Sequence, residues 1–88
     1  MRVTIWDLDY YYAKRKVNCF NPDAMQISSY HKQRGDKVNF VQTEYDIHRP
    51  YDLYYIIKEK DKTPNAPMEF YLDSKVRWWG TANRARIN

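Results

Sequence analysis

Eighty-eight residues fit one small domain, and a net charge of +4 is mild beside that of a nucleic-acid module, which is more basic and concentrates its charge on one face. Mean hydropathy is low at −0.92, but 17% of the residues are aromatic, and each Tyr or Trp buries a large area. The single cysteine, Cys19, excludes an internal disulfide and a cysteine-only metal site and suits a reducing cytoplasm, while no apolar run reaches the roughly 18 residues that a membrane span requires.

Arg2 to Leu8 reads as the first strand. Its apolar and β-branched residues are consecutive, the pattern of a strand covered on both faces in a parallel α/β sheet. Asp9 to Phe20 is a polar, aromatic connection holding Tyr10, Tyr11 and Tyr12 and the basic run Lys14, Arg15 and Lys16. It exceeds the usual length of about 2–6 residues, and long loops at strand ends are often functional.

Asn21 to Gln42 reads as a capped helix, a glycine stop and a buried strand. Asn21 suits the N-cap, Pro22 the first helical position, and Asp23 the positive end of the helix dipole. Lys32 and Arg34 fall in the last turn. Gly35 can adopt the left-handed conformation that ends a helix. Val38 to Val41 is then a second apolar run of strand type.

Thr43 to Pro50 is a polar connection, and Leu53 to Ile57 a third, central strand. Lys58 to Pro67 is charged and broken by proline. Met68 to Leu72 reads as one short helix with Pro67 at its first position. Val76 to Trp79 is a fourth strand stopped by Gly80, and a polar tail runs from Thr81 to Asn88.

The series predicts an α/β fold: a small Rossmann-like or flavodoxin-like open parallel sheet with one long and one short helix. Right-handed crossovers give the strand order 2-1-3-4. Residues 1–88 then form a single truncated domain, the N-terminal part of a longer protein. The edge at the fourth strand is left to pair with more protein or with a second copy of the chain.

In such sheets ligands bind beyond the carboxyl ends of the strands, where strand order reverses. That end is predicted to carry Asp7 and Asp9, Gln42 and Thr43, Lys58, and Gly80, Thr81 and Asn83. Asp7 and Asp9 form a carboxylate pair able to hold Mg²⁺. A similar pair supplies nucleophile and acid in haloacid-dehalogenase-type phosphatases, but Tyr11 stands where that pattern wants Thr or Val. The plainer reading is that Asp7 and Asp9 end the strand and organise the turn.

Tyr11 with Lys14, Arg15 and Lys16 offers a basic, aromatic contact for nucleic acid, with cations on phosphates and rings on bases. Its rival is a solvated loop whose tyrosines pack back on the domain, and nucleic acid is not the expected partner. His31, on the helix, reads as a structural histidine leaning on the sheet. His48 lies beside Arg49 with Asp46 nearby, and with Cys19 these residues do not fill a four-ligand zinc site. Gly35 and Gly80 are too few for a glycine-rich phosphate cradle. Trp78 and Trp79 are expected on opposite faces of the sheet.

The run of Met25, Ile27, Ser28, Tyr30, His31, Lys32, Gly35, Asp36 and Val38 resembles the first helix and second strand in the N-terminal, cobalamin-binding-like domain of radical S-adenosylmethionine proteins. Ile5 to Asp9 is similar to that domain's opening strand, Tyr51 to Lys58 to its third strand, and Trp79 to Ala82 to its glycine turn. The resemblance implies a Rossmann-like accessory domain that caps, or feeds substrate to, a catalytic domain in cis. The D-x-H-x-x-G cobalamin loop is replaced by Asp7 to Tyr12, with neither His nor Gly, so cobalamin is not expected. The chain has no C-x-x-x-C-x-x-C motif, so an iron–sulfur cluster and S-adenosylmethionine belong only to a longer parent. The chain by itself is therefore expected to be noncatalytic.

Overall fold

The first apolar run becomes the strand at the heart of the sheet. The computed structural model describes residues 1–13 and 21–80. In chain order these form β1 (Arg2–Asp7), α1 (Leu8–Ala13), α2 (Pro22–Gln33), β2 (Lys37–Phe40), α3 (Glu44–Ile47), β3 (Leu53–Ile57), a 3₁₀ helix (Met68–Leu72) and β4 (Val76–Trp79). All three strand pairings are parallel, and the order is β2-β1-β3-β4. Ile5 lies level with Phe40 on one side and Tyr55 on the other, and Trp79 pairs with Ile57.

Successive side chains of a strand point to opposite faces, so a consecutive apolar run needs two cores. Both exist. Val3, Ile5 and Ile57 pack with Ala24 of α2, flanked by Ile27, Val38, Phe40, Leu53 and Tyr55. On the other face Trp6, Tyr54, Ile56 and Val76 pack with Leu8, Val41, Ala66 and Phe70, flanked by Tyr11, Ile47, Tyr51 and Trp78. Trp78 stacks on Tyr71, whereas Trp79 reaches the α2 face, where its indole N–H donates to Asp23 Oδ2 at 3.3 Å. The two tryptophans therefore serve opposite faces.

α2 is built as its caps dictate. Asn21 Oδ1 accepts the Asp23 N–H at 2.7 Å, Pro22 opens the helix, and Gly35 follows it at φ +87°. His31 is buried and ties the helix to the sheet. Its Nδ1 meets Asp36 Oδ2 at 2.9 Å and its Nε2 the Tyr55 hydroxyl at 3.0 Å. An ionised Asp36 can only accept, so in the neutral imidazole Nδ1 donates and Nε2 accepts from Tyr55.

The helical content departs from expectation in three places. The stretch read as a connection from Asp9 begins inside α1, so β1 ends at Asp7, one residue early. Leu8 and Tyr11, three apart on one face of the helix, both pack on the second core, and that contact outweighs the modest helix propensity of the tyrosines. The second polar connection contains α3, held by Asp46 Oδ2, which accepts from the N–H groups of Gln42 and Thr43 and from the Thr43 hydroxyl. That is the acidic half of a capping box. Met68–Leu72 is a 3₁₀ helix, and Pro67 is its N-cap instead of its first residue. Among the described residues no helix is long and apolar enough to cross a membrane.

Candidate functional site

Strand order reverses between β1 and β3, because β2 lies on one side of β1 and the next strand in sequence on the other. The residues at the carboxyl ends of these two strands therefore define the place to look. Asp7, Asp9, Lys58 and Gly80 all gather at this end, as expected from topology. Thr81 and Asn83 lie outside the described residues, as do Lys14, Arg15 and Lys16.

The carboxylates here hold backbone. Asp7 Oδ2 accepts the Asn21 N–H at 2.7 Å and Oδ1 the Tyr10 N–H at 3.3 Å. Asp7 is 2% exposed, and burial pushes its pKa above the ordinary carboxylate value, against the pull of those two N–H groups. Asp9 reaches across to the loop after β3. Its Oδ2 accepts the Glu59 N–H at 2.7 Å, and its Oδ1 accepts the Lys60 N–H at 3.3 Å and the Thr63 hydroxyl at 2.6 Å. Asp46, described above, does the same for the loop after β2. The loops after β1, β2 and β3 are thus each fastened by a carboxylate acting on N–H groups.

Lys58 continues β3. Its N–H donates to the Trp79 carbonyl at 3.0 Å, and its buried ammonium donates to Asn65 Oδ1 at 2.7 Å. Gly80 sits against this residue at φ +97°. A Cβ there would lie 2.4 Å from the Lys58 carbonyl oxygen, so the close approach admits only glycine. Thr63 and Asn65 join the site from a stretch that reads as an ordinary charged loop. Their turn-forming neighbours mark a loop, but no spacing in the sequence points to Asp9 or Lys58.

Tyr11 is not splayed outward. Its ring meets Trp6 edge-on at 5.6 Å and Tyr12 at 5.0 Å, the packed-back arrangement. Tyr10, Tyr11, Val41 and Gln42 line an open hollow of about 250 Å³ beside the end of β2, off the reversal point. The reversal point itself is taken up by the Asp9 carboxylate. Among the described residues no three His, Cys, Asp or Glu side chains gather as metal ligands. His48 instead lies at 3.6 Å from Glu69 and stacks on Phe70.

With this geometry established, comparison with family models, curated proteins and solved structures finds no match to the chain.

Proposed function

We propose that this chain is a noncatalytic accessory domain, similar to the N-terminal domain of radical S-adenosylmethionine proteins, whose strand-end face serves a catalytic domain in cis. The observation that carries this reading is the use made of Asp7 and Asp9. A nucleophile and its partner acid need an open approach for substrate, whereas here Asp7 is buried and both oxygens of each carboxylate are engaged by hydrogen bonds from the chain itself. The parallel sheet in the order 2-1-3-4 agrees with the fold that the resemblance implies. On this reading the cluster and S-adenosylmethionine belong to the partner domain, and β4 supplies an edge against which further protein, or a second copy of the chain, pairs.

The test is the genomic reading frame downstream of Asn88. The proposal expects an in-frame segment carrying a C-x-x-x-C-x-x-C motif. A stop codon directly after Asn88 would sink the reading in cis.

A further inference from the structure

A buried ammonium calls for an anion. Lys58 is 3% exposed, yet among the described residues its ammonium is met by the neutral Oδ1 of Asn65. Burying such a charge is costly unless opposite charge or several hydrogen bonds compensate. The same loop turns three donors inward, the N–H groups of Glu59 and Lys60 and the hydroxyl of Thr63, and all three converge on one carboxylate. Successive N–H groups arranged around a concavity make an oxyanion site, and the loop that supplies them also holds the buried Lys58 ammonium through Asn65. The carboxylate in it is that of Asp9, 50 residues from Glu59 in sequence. The site also lies where strand order reverses, the usual ligand position in open α/β sheets.

We propose that residues 58–65 form an oxyanion cradle, that Asp9 is its built-in occupant, and that the phosphate or carboxylate group of a small ligand competes with Asp9 for it. Asp9 rides on α1 and acts as a tethered ligand at high effective concentration, so it weakens any free oxyanion in proportion. The cradle keeps the site formed, and its loop ordered, before a ligand arrives. This inference does not rest on the accessory-domain reading, since a cradle filled by its own chain needs no partner domain.

The test uses the full chain as wild type, Asp9→Ala and Asp9→Asn, titrated with inorganic phosphate and separately with acetate. Sodium chloride at matched ionic strength is the control. The readouts are the amide resonances of Glu59, Lys60 and Thr63 and the thermal midpoint. Asp9→Ala is expected to bind roughly tenfold more tightly than wild type, because the tethered competitor is gone. Its midpoint should rise with the oxyanion and not with chloride. Adding Thr63→Ala should weaken that binding by about threefold, through loss of the charge-assisted hydrogen bond from the Thr63 hydroxyl. A response to phosphate alone assigns a phosphoryl ligand, and an equal response to acetate a carboxylate. Should Asp9→Ala not fold, Asp9→Asn keeps size and one acceptor while dropping the charge, and about threefold tighter binding is expected. Equal affinity in wild type and the folded Asp9 variant, or no movement of those amides in either, overturns the proposal.

Discussion

The two ends of the sheet neutralise their carboxylates in different ways. At the amino ends of the strands, charge meets charge around Asp36 and Asp52, while Asp73 accepts from the Tyr51 hydroxyl. The Met1 ammonium lies 3.0 Å from Asp36 Oδ1, Arg34 and His31 also face Asp36, and Arg2 faces Asp52. At the carboxyl ends, Asp7 and Asp9 face N–H groups, Asp46 adds the Arg49 guanidinium at 2.8 Å to its N–H donors, and the buried cation Lys58 faces an amide oxygen. The amino end is thus closed electrostatically within itself. Among the described residues, the carboxyl end keeps Asp7 and Asp9 on dipoles and its buried cation on a neutral group, which is the less complete arrangement. Ligand sites in parallel sheets occur at that end, and among the described residues it is also where a buried ammonium meets a neutral partner.

The widest contrast should come from the two glycines. Both have positive φ, but a Cβ at Gly35 meets nothing within 4 Å, whereas one at Gly80 collides with Lys58 backbone. Gly35→Ala is expected to cost only the conformational penalty, about 1–2 kcal/mol. Gly80→Ala adds overpacking against atoms that cannot rotate away, for a total of roughly 3 kcal/mol or more. Urea denaturation of both variants measures the difference, and equal losses would mean that the carboxyl end is looser than described.

Next in size is His31. Replacing it with Leu takes their hydrogen-bond partner from the half-buried Tyr55 hydroxyl and from Asp36 Oδ2, a loss of about 2 kcal/mol. At the opposite end, Asp46→Ala removes a capping carboxylate from an exposed loop and should cost only about 1 kcal/mol. If Asp46→Ala proved the more damaging, the amino end would not be the better-anchored one.

The parts legible in the sequence are those decided by near neighbours. β1 and β3 announce themselves as consecutive apolar runs because each is buried on both faces. α2 is readable because Asn21, Pro22 and Gly35 act within a turn of its ends. α1 was hidden because three tyrosines carry no clear helical signal, and only the packing of Leu8 and Tyr11 on a distant core makes them helical. α3 is one turn long, and Thr43 with Asp46 marks it only faintly. The same division runs through the site. Asp7, Asp9, Lys58 and Gly80 follow from strand topology, and the Asp7 bond to Tyr10 is the expected local turn. The grip of Asp9 on Glu59, Lys60 and Thr63 is set by three-dimensional proximity across 50 or more residues, which no local pattern encodes.

The finest distinction between the ends is their response to acid. Asp36 is held below the ordinary carboxylate value by His31 and then by the N-terminal ammonium, Asp52 by the Arg2 N–H, and Asp73 by the Tyr51 hydroxyl. A carboxyl depressed in the folded state adds stability above its unfolded pKa and loses it as pH falls through the folded one. Asp7 runs the other way, because burial raises it. Its charged form costs stability at neutral pH, and protonation between the ordinary and the raised value relieves that cost. Wild type should therefore lose stability below about pH 4 through Asp36, Asp52 and Asp73 at its amino end and through Asp46, held low by the Gln42 and Thr43 N–H groups, at its carboxyl end, while Asp7 partly opposes the loss. In urea midpoints measured across that range, Asp36→Asn should flatten the acid limb and Asp7→Asn should steepen it. Shifts of the same sign in both variants would show that the two ends do not differ in the electrostatic sense argued here.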